Sequence, residues 1–102
     1  REWIYVDDHC KAIYETFRKG KTGEIYNIGS GLEIKNLDLV KNVLICLKKP
    51  FSLIKHVTDR PGHDFRYSID SSKSSALCPD FKFTDFNDGL NETIRWYKKI
   101  SS

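Results

Sequence analysis

The sequence contains no methionine, only three prolines and three cysteines, and no apolar stretch longer than Val43 to Leu47. A membrane-spanning helix needs about 20 apolar residues, so no segment is a candidate span. The chain opens Arg1-Glu2-Trp3, with neither a methionine nor a basic-then-apolar leader, and is expected to be a piece of something longer. Cys10, Cys46 and Cys78 form no C-x-x-C pair and no zinc spacing. They read as buried or free thiols of a reducing compartment, small apolar fillers in a cytoplasmic protein. There is no G-x-G-x-x-G fingerprint and no P-loop, so this chain alone is not expected to cradle a dinucleotide. An excess of either charge is also lacking. Seventeen basic against fourteen acidic residues give +3, and the basic ones come in short pairs such as Arg18-Lys19 and Lys98-Lys99. A nucleic-acid domain is expected to show a basic stripe and a pI above about 9; the value here is 8.8.

What is present is globular in kind. Hydrophobic residues make up 39% and charged residues 30%, too apolar for a disordered tail and too mixed for a coiled coil. Two Trp, five Tyr and six Phe are expected to supply the core of one small domain. Trp3 to Val6 reads as a short strand. Asp7-Asp8 is expected to cap a helix over about 8–19, which Arg18-Lys19 and a C′ glycine, Gly20, close. Residues 24–28 form a second expected strand, followed by the Gly29-Ser30-Gly31 turn. Asn36-Leu37-Asp38 opens a second helix whose stripe is Leu37, Val40, Leu44 and Leu47, stopped by Lys48-Lys49-Pro50. Residues 53–57 and 66–69 read as further strands. Asp70 is expected to cap a brief helix through Leu77, and Thr84 or Asp85 a final one from Phe86 to Lys99, striped by Phe86, Leu90, Ile94 and Tyr97. The order β-α-β-α-β-β-α-α gives an α/β unit with few strands for an independent sheet.

The densest polar cluster is Thr58 to Asp64. Arg60 offers a planar, always-charged fork suited to phosphate oxygens. Pro61 and Gly62 fix the loop, His63 adds a donor, and Asp59 and Asp64 can orient them. Such a loop is chemically suited to a diphosphate; the plain alternative is a surface turn with a salt bridge. No nucleophile-base-orienter set is legible. Ser71, Ser72, Ser74 and Ser75 read as capping residues, His9 as a surface or capping residue, and His56 has no partner in reach.

These segments resemble a known family. Arg1-Glu2-Trp3-Ile4-Tyr5-Val6-Asp7-Asp8-His9 is similar to the R-(D/E)-W-L-Y-V-(E/D)-D-H segment of dTDP-glucose 4,6-dehydratases, which are extended short-chain dehydrogenases acting on nucleotide sugars. Lys19 to Gly29 resembles their K-G-K-x-G-E-x-Y-N-I-G. Asp59 to Asp64, with Arg66-Tyr67 and Ile69-Asp70, resembles D-R-P-G-H-D-x-R-Y-x-I-D. Gly89-Leu90 through Tyr97 is similar to the closing G-x-x-x-T-(V/I)-x-W-Y. The matches are collinear over nearly the whole chain, and the Asp59 to Asp64 run points to the dTDP-glucose branch. Leu77-Cys78-Pro79 stands where the family has Leu-Gly-Trp.

The resemblance implies the C-terminal substrate-binding lobe of a Rossmann-type extended short-chain dehydrogenase, lacking the dinucleotide-binding half, with residues 1–102 as one domain. It implies a lyase with NAD as cofactor, a dTDP-sugar as substrate and a homodimer when whole. Arg1 and Arg60 would contact the diphosphate or nucleotide. Asn36 would hydrogen-bond the nucleotide side, and His63 with Asp59, Pro61 and Gly62 would close over it. The family's Gly-rich fingerprint, Tyr-x-x-x-Lys pair and Asp-Glu acid/base pair lie upstream, so no catalytic residue is expected here and the isolated chain is expected to be an inactive monomer that binds no NAD. Two other readings stand beside this one: a stand-alone nucleotide-binding module, and a remnant that folds without binding.

Overall fold

The computed structural model describes residues 1–101. Four α-helices form: α1 (Val6–Lys19), α2 (Asn36–Leu47), α3 (Ser72–Leu77) and α4 (Phe86–Ser101), with one short 3-10 turn over Phe51–Leu53. Helix α2 packs on α4, and α1 on α3.

The helices fall where apolar spacing and end signals place them, but the ends work differently from expectation. Helix α1 starts at Val6 after an extended Tyr5, so Asp7 and Asp8 lie inside its first turn and supply no side-chain cap. They still meet the positive end of the helix dipole. Asp8 is buried, and its carboxylate accepts from the Thr84 backbone N–H at 2.7 Å and the Thr84 hydroxyl at 2.8 Å. It therefore ties α1 to the chain leading into α4. Gly20 closes α1 in an extended conformation, φ −70° and ψ 156°, rather than a left-handed one. Its glycine is explained by space: a Cβ there would press on the Thr16 carbonyl and the Tyr26 ring. The left-handed residue belongs to α2, where Lys48 at φ 56° sends its N–H to Ile45 O and Lys49 sends its own to Leu44 O at 2.9 Å. Of the two caps considered for α4, Asp85 acts, accepting from the Asn87 N–H at 3.1 Å. Helix α3 starts at Ser72, whose N–H donates to the Asp70 carboxylate at 2.9 Å.

The expected strands at 3–6, 24–28, 53–57 and 66–69 do not form. Among the described residues the only β pairing is a single antiparallel bridge between Glu2 and Glu33. The strands are thus the part of the α/β expectation that this chain does not carry among its described residues: the structure is mostly helical. Alternation and β-branched composition mark residues that suit a sheet, but a strand exists only through a paired neighbour. Here the segments are tied by side chains instead. Ser74 Oγ donates to Asn27 O at 2.7 Å, and the Ile69 N–H donates to Glu2.

The interior is thin. The radius of gyration is 16.4 Å, against about 13 Å for a compact domain of roughly 100 residues. Leu44 is the one buried large apolar side chain among the described residues, whereas Phe17 is 87% and Phe65 100% exposed. The expected aromatic core is thus not closed. Nor are the cysteines buried fillers: Cys10 is exposed, and Cys46 and Cys78 are half-buried free thiols. Among the described residues no helix is long and apolar enough to cross a membrane.

Candidate functional site

Arg1 is positioned by the one stretch of sheet-like pairing. Ile34 N–H donates to Arg1 O at 3.0 Å, and the Arg1 nitrogen donates back to Ile34 O at 3.1 Å. Two residues on, Trp3 N–H donates to Leu32 O at 2.9 Å, and the Trp3 indole N–H to Ile34 O at 3.0 Å. With its backbone held, the Arg1 guanidinium stacks over the Tyr67 ring, 4.4 Å from the centroid. Its Nη2 lies 3.0 Å from His63 Nε2. A guanidinium can only donate, so in this contact the His63 ring nitrogen is the acceptor.

The loop that brings in His63 is a tight turn. His63 N–H donates to Arg60 O at 3.1 Å, and Gly62 sits at φ +74°. Proline at the second position and a left-handed glycine at the third are the residues a type II turn requires. Asp64, through a hydrogen bond and its charge, pushes the Tyr67 phenol above the ordinary tyrosine range, while the charges of Arg1 and Arg60 pull it down. Arg1 thus stacks on Tyr67 and meets His63, and Arg60 acts on the ring through its charge alone.

The charge arrangement is selective. Of the five arginines in the sequence, three are paired with glutamates: Arg18 with Glu15, Arg66 with Glu33, and Arg95 with Glu92. Arg1 and Arg60 are not: among the described residues they form no ion pair. A guanidinium without a carboxylate partner is suited to an anion with several oxygens. The neighbouring Glu33–Arg66 pair is bidentate, at 2.5 and 2.6 Å, and Arg66 holds the Glu33 carboxyl below its ordinary range.

The Arg1 and His63 side chains thus come together, and Arg60 joins them through the turn that Pro61 and Gly62 form. Asn36, the exposed first residue of α2, follows Ile34, the backbone partner of Arg1, by two residues and has no bond to this cluster. Asp59 is exposed and likewise unbonded to it. His9 and His56 are exposed and lie apart. Sequence reasoning gave the ring no role in the site: Tyr67 reads there as a strand residue and as one position of the Asp59 to Asp70 motif. Its place directly after Arg66, five residues beyond Gly62, was the available signal. Glu2 likewise had no role assigned, although it stands in the Arg1 to His9 motif. Its carboxylate accepts from the Gly31 N–H at 2.8 Å and the Ile69 N–H at 3.0 Å. The Gly29–Gly31 segment is thereby held onto Glu2. No cluster of three or more metal-ligating side chains occurs among the described residues.

Residues 1–29, which include Arg1 and α1, match the NAD dependent epimerase/dehydratase family model. Over nearly the whole chain, the similarity is to dTDP-glucose 4,6-dehydratases. The enzyme of that name from Streptomyces niveus is 43% identical over 98 residues, covering 96% of this chain and 29% of the relative. The crystal structure of dTDP-glucose 4,6-dehydratase from Bacillus anthracis str. Ames in complex with NAD superimposes with a TM-score of 0.87 at 40% identity, covering 97% of this chain and 31% of that one. DesIV, a dTDP-glucose 4,6-dehydratase from Streptomyces venezuelae solved with NAD and TYD bound, gives the same TM-score at 42% identity, with the same coverage. The chain is thus a relative of the dTDP-glucose 4,6-dehydratases and spans under a third of their length.

Proposed function

We propose that this chain is the C-terminal, substrate-binding portion of a dTDP-glucose 4,6-dehydratase, and that its Tyr67 corner holds the diphosphate of the nucleotide sugar. The observation that carries this is the Arg1 guanidinium, without an ion-pair partner, stacked on Tyr67 and against His63 at the end of the Arg60–His63 turn. A diphosphate presents several oxygens in two planes, and two forks can each engage one phosphate. His63 closes one side. Asn36 and Asp59, exposed and unbonded to the cluster, would engage only once the nucleotide is in place.

The whole enzyme would oxidise C4 of the glucose unit, lose water across C5 and C6, and return the hydride to C6. NAD would accept and return that hydride, held by the part of the enzyme that carries the glycine-rich fingerprint. This chain supplies binding energy and orientation. It is expected to turn over no dTDP-glucose by itself with NAD added, and to act in the cytoplasm within a homodimeric parent.

The test is a dTDP titration followed by amide NMR shifts, with UDP for comparison. Shifts at Arg1, Asn36 and Arg60 to His63, larger for dTDP, are expected. A stand-alone nucleotide module would respond to both nucleotides equally. Silence at millimolar nucleotide would remove the diphosphate assignment from this chain.

A further inference from the structure

We infer that Glu2 is a positioning residue, whose carboxylate clamps three chain segments together and thereby sets Arg1 against Tyr67 and His63. The inference deepens the nucleotide-binding reading and rests on it for its functional meaning. The geometry stands independently.

Glu2 Oε1 accepts from Gly31 N–H, and Glu2 Oε2 from Ile69 N–H. One oxygen thus holds the loop after Gly29, and the other holds the segment that carries Tyr67. Bonds from backbone N–H groups to a carboxylate are stronger than neutral ones. The Arg1–Ile34 pairing fixes Arg1 only to residues 32–34, and Glu33–Arg66 reaches the Tyr67 segment only through exposed side chains. Glu2 is the link that joins the backbone of the Tyr67 segment directly to the residue beside Arg1. Gly29 independently shows how closely the clamp is packed. It is buried, and a Cβ on it would fall within the Glu2 carboxylate and 3.0 Å from the Ile69 side chain.

Two variants test this in the 102-residue chain. Glu2→Ala removes both acceptors. Glu2→Gln retains one acceptor oxygen and loses the other. The first readout is nuclear Overhauser contact between the Arg1 side chain and the Tyr67 ring, together with the Gly31 and Ile69 amide shifts; helix content is followed by circular dichroism. The second is dTDP affinity. We expect the Arg1–Tyr67 contact to vanish in Glu2→Ala and weaken in Glu2→Gln, with the helices kept. Affinity should fall about tenfold in the first and about threefold in the second. Gly29→Ala, which displaces the carboxylate sterically, should reproduce the loss. Parental Arg1–Tyr67 contacts in a folded Glu2→Ala or Glu2→Gln chain would overturn the inference. If the parent chain binds no dTDP but loses the contact on Glu2→Ala, the positioning role stands and the diphosphate assignment falls.

Discussion

The arginines of the Tyr67 corner and those of the helices obey opposite rules. Arg18 on α1 and Arg95 on α4 each bond a glutamate one turn earlier, at 3.1 and 2.5 Å. Such pairs are the ordinary way a solvated helix face balances charge. Arg1 is instead set against an aromatic ring and an imidazole, and neither it nor Arg60 has a carboxylate ion pair among the described residues. The same side chain thus serves two ends, and its partner reveals which. A second contrast runs alongside. The corner is knit by specific polar bonds from residues 1–3, 29–34 and 60–69, while the helices leave large apolar side chains such as Phe17 in water. The chain defines its polar site more completely than its core.

The contrast breaks most visibly if the two kinds of arginine prove equivalent. Arg60→Ala is expected to weaken dTDP binding by roughly 1.5–3 kcal/mol, the scale of hydrogen bonds to a charged group, or a factor of about ten to over a hundred. Arg95→Ala should leave binding unchanged. Calorimetric titration of both variants measures the difference, and equal losses would show that the corner carries no special role.

Gly62→Ala comes next. A residue with a Cβ at φ +74° is in the left-handed region, which costs about 1–2 kcal/mol outside glycine. The space around Gly62 is open, so strain acts alone. The turn is expected to relax, drawing His63 from Arg1 and lowering nucleotide affinity several-fold. Amide shifts confined to residues 59–67, with α1, α2 and α4 unmoved, would localise the change.

Helix positions were legible because each rests on local signals: the Leu37–Leu47 stripe, Pro50, Lys98-Lys99, and acids in the first turns. The turn at Arg60 to His63 was legible for the same reason, since Pro61 and Gly62 dictate it within four residues. The strands were not legible in truth, because pairing is a property of two segments and composition describes only one. The Tyr67 corner was half legible. Arg1 and Arg60 stand 59 positions apart, and only the family resemblance joined them in the sequence. Tyr67, on which Arg1 stacks, and Glu2, which joins the Arg1 and Tyr67 segments, act through long-range contacts with no periodicity to betray them. The burial expected of Cys10 failed because it presumes a closed core.

Asp64→Asn sharpens the electrostatic side of the comparison. The Asp64 carboxylate raises the Tyr67 phenol above its ordinary value of about 10, against the two guanidinium groups. Without that negative charge, Arg1 and Arg60 favour the phenolate. Ultraviolet titration of the variant should therefore show Tyr67 ionising at lower pH than in the parent. An unchanged titration would mean that the Asp64 carboxylate does not act on the Tyr67 phenol.

The smallest expected effect lies at the border of the corner, where a paired arginine adjoins the unpaired ones. Arg66 holds the Glu33 carboxyl below the ordinary glutamate value of about 4.3, chiefly by hydrogen bonding. A carboxyl whose folded value is depressed stabilises the fold above the unfolded value, and that contribution disappears as pH falls through the folded one. Both side chains are well exposed, 67% for Arg66 and 35% for Glu33, so solvent screens the pair and little global stability is at stake. Arg66→Ala should return Glu33 to ordinary titration in carbon-detected NMR without moving the unfolding midpoint. It should also leave the Arg1–Tyr67 contact in place, because Glu2 holds the Ile69 backbone independently. Loss of that contact would transfer the clamping role from Glu2 to the Glu33–Arg66 bridge.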